Sequence, residues 1–532
     1  MGLFSKKKGS PRAKGYSDAG ASTIRRALKS FIAVSGSPNE DINWNNFTLR
    51  QRGRMLFMAS PVAASAIKTN RTKGIGIGLQ LKSTVKRALL GLSKEQSDDW
   101  QKKTEAEFDM WSSKKENCDA LGLNNFGGMQ QLSFMSWLMS GDVFALIKRY
   151  DATPLNPYTL RLHIIEADRI STPTKYKGGI LHMHSTDGEN TDNKNKIYDG
   201  VEVDSNGRVV AYHIQNNYPN QVLSKDTEWT RVEAYGEKTG LPNILHIMSS
   251  ERPEQYRGVT YLAQVIEPLL QLRRYTESEL MAALIQSFFT AWINTESDLT
   301  DMPMAEVGAG SVVGVPTANP EDEAGISDDP NEYEMGPGAV MHLGENEKVS
   351  FGQPTSPNSN FDQFFKTMCR QIGAALEVPH DVLMKEYNRS YSASRAALLE
   401  VWEAIRMFRT WFIDDFTQPV YEIWLAEAVA IGRIKAPGFF VDPLIRDAWC
   451  EAHWIGPVQG QIDPAKEVRA SIMQADQAFK TREQLTYELG GGDWIENVEQ
   501  MDYENKLLKE AGGGNFMTAL QEDDGADDGD DN

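Results

Sequence analysis

The chain has 532 residues, of which 40% are apolar and 24% are charged, and its formal net charge is −19 at pH 7. This length allows two to four domains. The sequence contains no run of 18 apolar residues, so it predicts no membrane-spanning helix. An acidic chain is not typical of a protein that grips duplex DNA, because Lys and Arg contacts to phosphate supply most of that affinity. Three widely separated cysteines favour a reducing compartment without a disulfide framework.

The negative charge is concentrated in two stretches. Residues 275–347 contain fifteen Asp or Glu and no Lys or Arg, and the last twelve residues contain seven acids, whereas the first 29 residues contain eight bases and one acid. The long base-free stretch is either a solvated insertion or a surface that lies near nucleic acid without adhering to it, or that docks a basic partner. The ends of the chain predict a basic flexible arm over residues 1–40 and an acidic tail over residues 511–532.

The first part of the chain predicts helices. The apolar periodicity favours them over residues 44–70, 95–116 and 127–140. The sequence Gly74-Ile75-Gly76-Ile77-Gly78 lies between the first two. It is not a dinucleotide-binding fingerprint, because its spacing is G-x-G-x-G and an alternating strand, residues 79–82, follows it instead of a helix.

The middle of the chain predicts strands. They are expected over residues 143–147, 160–165, 201–204, 208–214 and 245–248. The pair Asn206-Gly207 joins the third and fourth of these as a hairpin, because it tolerates positive φ in a tight turn. Helices and strands in separate stretches indicate an α+β fold.

Helices return in the last part of the chain. They are expected over residues 261–293, 361–376 and 464–478, and from Thr481 onwards, with a strand over residues 448–456. Pro464 suits the first position of a helix. Thr481 and Gln484 have the spacing of a capping box.

The longest pattern in the chain is a helix of about 37 residues that ends near Gly432. One stripe at three- or four-residue spacing is apolar: Leu398, Trp402, Ile405, Phe408, Phe412 and Phe416. Pro419 lies inside the pattern, and because it removes a backbone donor it predicts a kink there. A polar loop with Lys385 and Arg389 precedes the helix, and Arg395 lies in the first turn. These cations are either solvated or positioned to contact phosphates without reading bases.

Motifs of known enzymes are missing. There is no G-x(4)-G-K-[ST], no G-x-S-x-G and no H-E-x-x-H. His182 and His184 could begin a metal site, but no Cys or carboxylate stands at a matching spacing, and a surface strand is the better interpretation. Residues 187–204 lack the calcium-loop register. We therefore expect no enzyme activity, no cofactor and no metal.

Across residues 45 to 500 the sequence resembles the portal proteins of tailed bacteriophages, in particular the phage lambda-like family. The matching stretches are residues 255–263, 279–293, 336–338, 370–376 with Val378-Pro379, Tyr391-Ser392-x-x-Arg395-Ala396, 419–421, Trp424-Leu425, Glu427-Ala428, 454–456, Ile462-Asp463 and Lys466-Glu467. No single stretch is specific, but their order and spacing together are.

The resemblance implies a portal-protein fold assembled as a ring of twelve subunits at one capsid vertex, in the virion and, during assembly, in the host cytoplasm. Double-stranded DNA would pass through the ring during packaging and ejection. The implied partners are the major capsid protein, the terminase large subunit and then the head-completion or tail connector proteins, with no membrane. A packaging-associated nuclease and a capsid scaffold without a channel are the alternatives.

The resemblance also implies a division of the chain. The parts are an arm (1–40), a wing (41–256), a first stem helix (257–293), a clip (294–358), a second stem helix (359–384), a tunnel loop (385–395), a long kinked wing helix (396–435), a crown (436–510) and the tail (511–532). The tunnel loop would face the DNA with Lys385, Arg389, Ser390, Tyr391, Ser392 and Arg395, and Pro419 would be the kink of the wing helix.

Overall fold

A computed structural model describes residues 20–23, 25–177, 186–219, 221, 226–287, 291–295, 347–351, 360–386, 391–459, 464–490, 492 and 494–510. The chain divides into two compact units, one made of Met1–Leu270 and Cys369–Asn532 and the other of Gln271–Met368. Among the described residues no helix is long and apolar enough to cross a membrane.

The elements up to residue 250 alternate helices with antiparallel strands. In order they are α1 (Pro38–Ala59), α2 (Pro61–Gly74), β1 (Gln80–Ser83), α3 (Arg87–Leu90), α4 (Lys94–Ser112), α5 (Lys115–Cys118), α6 (Phe126–Ser140), β2 (Asp142–Arg149), β3 (Leu160–Glu166), β4 (Asp187–Glu189), β5 (Lys196–Tyr198), β6 (Val201–Val203), β7 (Val209–Gln215), β8 (Trp229–Glu233) and β9 (Ile244–Met248).

The remaining elements are mostly helical. They are α7 (Ile266–Ser287), β10 (Ala291–Thr295), β11 (Glu347–Phe351), α8 (Phe361–Ala375), α9 (His380–Met384), α10 (Tyr391–Phe412), a π-helical turn (Ile413–Thr417), α11 (Gln418–Ala430), α12 (Pro443–Cys450), β12 (Ala452–Ile455), α13 (Pro464–Asp476), α14 (Arg482–Leu489) and α15 (Trp494–Glu510).

The strands form small antiparallel sheets. The orders are β3-β2-β9, β4-β5-β6-β7-β8, β1-β12 and β10-β11. The hairpin of β6 and β7 has Gly207 at φ 82°, as the Asn-Gly turn predicts. This combination of sheets and helices confirms the α+β fold class.

The larger unit has an aromatic core around α10 and α11. Phe412 and Phe416 are fully buried, and Phe412 meets Phe134 of α6 edge to face at 5.5 Å. Phe108 of α4 packs edge to face on Trp424 of α11 with ring centroids 5.0 Å apart. Edge-to-face packing suits the ring quadrupoles and adds to the large apolar burial of such side chains. The aromatic core therefore joins α4, α6, α10 and α11.

The smaller unit contains most of α7, the strand pair and most of α8. Tyr275 of α7 stacks on Phe361 at 5.5 Å and meets Phe364 edge to face at 4.7 Å. The strands pair antiparallel, with Trp292 opposite Ser350.

Several sequence expectations were accurate. Five of the six residues of the apolar stripe are buried, while Leu398 is half-buried. Gly432 has φ 76° directly after the last turn, as a left-handed cap requires. The capping box before α14 is present, with Gln484 N donating to Thr481 Oγ1 at 3.1 Å and Thr481 N donating to Gln484 Oε1 at 3.0 Å.

Other expectations were wrong at their boundaries. The helix expected over residues 261–293 ends at Ser287, and Trp292 and Ile293 instead lie in β10, which pairs antiparallel with β11. Aromatic and β-branched residues are generally enriched in strands. Residues 448–450 end α12, because Asp442 caps a helix that begins with Pro443.

Arg409 connects α10 to two other parts of the larger unit. Its Nε donates to the Gly74 carbonyl at 2.7 Å, and its Nη2 donates to the carbonyls of Lys73 at 2.8 Å and Pro457 at 2.7 Å. Burial lowers the pKa of Arg409 to about 10, so the side chain remains a cation at pH 7. The guanidinium therefore satisfies carbonyls at the end of α2, which have no partner within that helix.

We expect Arg409→Met to lower the free energy of unfolding by about 2 to 4 kcal/mol, because it leaves three carbonyls without their donor. Urea unfolding followed by tryptophan fluorescence measures this. The matched control is Arg406→Met, one turn earlier on the exposed face, which we expect to change stability by less than about 0.5 kcal/mol. Equal effects of the two substitutions would contradict the role of Arg409.

Candidate functional site

The long helix consists of α10, one π-helical turn and α11 in direct succession. Within the turn, Gln418 N donates to the Ile413 carbonyl, five residues back. Pro419 occupies the second position of α11 and has no N–H to donate to the Asp415 carbonyl. A π turn is a recognised way to insert such an irregularity into a helix, often at a functional position.

The carboxylate of Asp415 lies within this π turn. Its Oδ2 accepts a hydrogen bond from Met248 N, at the end of β9, at 3.4 Å. Burial raises the pKa of Asp415 to about 6, and the neighbouring charge of Asp414 adds to the increase. Asp415 thus carries a partly desolvated negative charge at neutral pH, at the one irregular turn of the long helix.

The C-terminal end of the long helix is attached to the β2–β3 hairpin through Glu427. One carboxylate oxygen accepts hydrogen bonds from Thr159 N at 2.5 Å and Thr159 Oγ1 at 2.8 Å, and the other accepts from Leu160 N at 3.2 Å and pairs with Arg149. The four donors surround a side chain that is only 9% exposed. A carboxylate with these partners fixes the position of α11 on the hairpin.

The expected tunnel loop is described only at its two ends. Lys385 is exposed and closes α9 in the left-handed conformation, with φ 57°. Arg389 and Ser390 lie outside the described residues. Tyr391 and Ser392 begin α10, whose first-turn side chains are also outside the description, and Arg395 is half-buried on α10.

The helix before the loop, α9, is held in place by α2. Val382 and Leu383 of α9 are buried, and Ser65 Oγ of α2 donates to the Leu383 carbonyl at 2.7 Å. Glu386 N donates to the Asp381 carbonyl at 2.9 Å, which completes the turn that Lys385 caps. The loop therefore begins and ends on helices that pack into the larger unit.

A buried charge network fixes the chain at the point where it enters α7. Arg257 is fully buried and its Nε donates to Asp142 Oδ2 at 2.7 Å. Its other nitrogens donate to backbone carbonyls of Ala167, Ile170 and Asp199. Burial alone would raise the pKa of Asp142, but the charges of Arg257 and Arg50 hold it well below its usual range.

Only an indirect signal for this network is present in the sequence. Arg257 lies in a stretch that supported the family resemblance, but its partners come from positions far away in the chain. Arg50 of α1 completes the network and reaches Asp199 Oδ2 at 3.0 Å. The network is structural, because it is enclosed and all its charges are matched.

The asparagine-rich loop before β5 is polar, as its sequence suggested. The side-chain amides of Asn190, Asn193 and Asn195 all donate to the buried carboxylate of Glu202. Burial would raise the pKa of Glu202, but the hydrogen bonds from His213, Arg231, Asn195 and Asn193 hold it far below its usual range. Within the described ranges no group of His, Cys, Asp and Glu could hold a metal ion. His182 and His184 lie outside those ranges.

Comparison with known proteins gives a consistent family. The family model described as "Phage portal protein, lambda family" matches residues 25–409. The chain is 22% identical to Portal protein B of Escherichia phage lambda over 463 residues, which covers 85% of this chain and 82% of that protein. It is 24% identical to the probable portal protein of Halomonas phage phiHAP-1 over 441 residues, or 82% and 76% of the two chains.

A portal protein of Escherichia phage N15 is 24% identical over 328 residues, or 59% of each chain. Among solved structures, a chain from the virion of a native gene transfer agent particle has a TM-score of 0.42 at 12% identity. The alignment covers 83% of this chain and 92% of that one. A chain from the neck of the empty particle, computed with C6 symmetry, has a TM-score of 0.43 at 14% identity, with the same coverage.

The π turn yields a pH-dependent prediction. A carboxyl whose pKa is raised on folding destabilises the native state when it is ionised, and this penalty disappears as the pH falls from about 6 towards the unfolded value of about 3.9. Asp415→Asn should therefore be more stable than the parent chain at pH 7 by roughly 1 to 2 kcal/mol, and the advantage should vanish near pH 4.

Urea unfolding from pH 4 to pH 8 at one protein concentration tests this. The control is Asp414→Asn, which removes an exposed carboxylate from the same turn and should change stability by less than about 0.5 kcal/mol. An advantage of Asp415→Asn that does not vary with pH would refute the desolvation argument.

Proposed function

Because the chain belongs to the lambda family of phage portal proteins, we propose that it forms a ring of twelve copies at one capsid vertex and conducts double-stranded DNA. The observation that carries the proposal is the family match, which extends over residues 25–409. The DNA would enter through the ring during packaging and leave through it during ejection. The ring would then be a component of the virion that first assembles in the host cytoplasm.

The proposed division of the chain follows the family pattern. The wing is assigned to residues 41–256, the stem to 257–293 and 359–384, and the clip to 294–358. The tunnel loop is assigned to residues 385–395, the long kinked wing helix to 396–435 and the crown to 436–510. The helices α7 and α8 and the loop flanks on α9 and α10 support these assignments.

Charge explains how such a ring would conduct DNA without binding it firmly. Residues 275–347 carry fifteen acids and no base, so twelve copies would repel phosphates over a Debye length of about 8 Å at physiological salt. The few cations of the loop would contact phosphates briefly and independently of sequence. The duplex would therefore slide, whereas a uniformly basic channel would hold it.

The proposed partners follow from the position of the ring. The wing would contact the major capsid protein, and the acidic clip would dock the terminase large subunit and afterwards the head-completion or tail connector proteins. The portal itself would hydrolyse nothing.

The purified full-length chain should form rings with a central hole in negative-stain images. Its mass by light scattering should equal twelve chains. A monodisperse monomer under conditions that assemble capsids would contradict the ring, and hydrolysis of ATP or cleavage of DNA by the pure protein would favour a packaging enzyme instead.

The triple substitution Lys385→Glu, Arg389→Glu and Arg395→Glu should lower DNA packaging by at least tenfold while procapsids still assemble. The physical reason is that acids at the loop would repel the passing phosphates. Packaged DNA protected from nuclease measures the effect. The control reverses three exposed cations outside the loop, Lys114, Lys115 and Lys238, and should package normally; equal packaging by both variants would reject the loop assignment.

A further inference from the structure

The segment before α1 exposes an unusual amount of apolar surface. Phe31, Ile32 and Val34 are 76%, 84% and 85% exposed, and residues 31–37 belong to no helix or strand. The preceding residues Arg26 and Lys29 are exposed cations. Residues 19–39 contain no acid. We call residues 25–34 the strap. In this short segment the cations Arg26 and Lys29 and the apolar side chains of Phe31, Ile32 and Val34 are all exposed.

A groove of complementary character runs along the outer face of α10. It consists of two adjoining compartments of about 580 and 270 Å³ that share Glu377 and Met407. Met407 and Trp411 are exposed by 40% and 38% and form its apolar floor with the edge of Phe408. Apolar side chains of this size at a concave surface favour an occupant that covers them.

The rim of the groove is acidic. Glu251, Glu377, Glu400 and Glu403 line it and are exposed, against one exposed cation, Arg370. Within the described ranges none of the four carboxylates has an ion-pair partner. The groove therefore matches the strap in two respects, since its floor is apolar and its rim has the opposite charge.

The strap joins the rest of its own chain beside this groove but lies outside it. Arg252 donates to the Gly36 carbonyl at 3.1 Å and pairs with Asp41, and the adjacent residue Glu251 lines the groove. Occupation of its own groove would bury Phe31, Ile32 and Val34, yet within a single chain they are exposed. On a single copy, the apolar side chains of the strap and those of the groove floor therefore both remain exposed.

We propose that the strap of one copy packs into the α10 groove of the neighbouring copy. Phe31, Ile32 and Val34 cover Met407 and Trp411, while Arg26 and Lys29 lie against the acidic rim. Such a head-to-tail contact uses two different surfaces of the same chain and repeats around a closed ring. The inference rests on the ring proposed above and assigns one of its subunit contacts.

Cross-linking tests the contact between copies. Two full-length chains are prepared, one with Val34→Cys and one with Met407→Cys, and are mixed before assembly; the native Cys118, Cys369 and Cys450 are buried and do not compete. A short bismaleimide should link the mixed rings into dimers and leave rings of either chain alone unlinked.

A chain that carries both cysteines should give a ladder of linked species up to the closed ring. If that chain is instead linked only within itself, the strap occupies its own groove and the proposal is wrong. If rings form but nothing is linked, the strap contact is wrong while the ring stands. Failure to form any ring removes the ring proposal and this inference with it.

Substitution separates the contact from folding. The variant Phe31→Ser, Ile32→Ser, Val34→Ser should raise the protein concentration at which half of the chains are assembled into rings by at least tenfold. The unfolding midpoint of the free chain should not change. Leu155→Ser is the matched control, because Leu155 is 89% exposed elsewhere on the surface, and it should assemble normally. Equal assembly of both variants would overturn the proposal.

The charges are tested by reversal and rescue. Glu400→Lys with Glu403→Lys should weaken assembly, and Arg26→Glu with Lys29→Glu on the same chain should restore it. Weakening without rescue would show that the acidic rim contacts something other than the strap.

Discussion

The aromatic core around α10 and α11 is removed from water, and much of the larger unit is arranged to achieve this. Each large apolar side chain removed from water contributes roughly 1.5 to 3 kcal/mol. Phe134 and Trp137 of α6 cover Phe412 and Phe408, and α4 covers Trp424 through Phe108. Since burial also brings polar groups inside, Arg409 and Glu427 are satisfied by carbonyls and amides of other elements.

A second constraint is the burial of charge, and it determines which face of α1 turns inward. The buried face of this helix contains Asn43, Asn46 and Arg50, whereas Trp44 and Met58 are 67% and 74% exposed. Asn46 donates to the Gly258 carbonyl at 2.9 Å, beside the network of Arg257 and Asp142. A buried ion pair that loses one partner costs several kcal/mol, so matching the network outweighs hiding a few apolar side chains.

Sequence reasoning succeeded where the signal is local. The apolar stripe of the long helix repeats every three or four residues, and the Asn-Gly hairpin and the capping box at Thr481 each lie within a few residues. All three formed as expected. It failed where the partner is distant. The sequence near Arg409 and Glu427 does not indicate that Arg409 donates to the Gly74 carbonyl or that Glu427 accepts from the Thr159 backbone N–H. Trp292 likewise reads as helix until β11, more than fifty residues later, supplies its strand partner.

The same distinction applies to the candidate site. The charge of the loop before α10 follows from the local sequence, because Lys385 and Arg395 can be identified there directly. The position of the loop depends on distant parts of the chain, since Ser65 of α2 holds α9, and Arg409 and the aromatic core hold α10. In the proposed ring, the cations of this loop would contact a passing duplex only if their scaffold resists displacement. The packing of the long helix is therefore the physical condition on which any function of this loop depends.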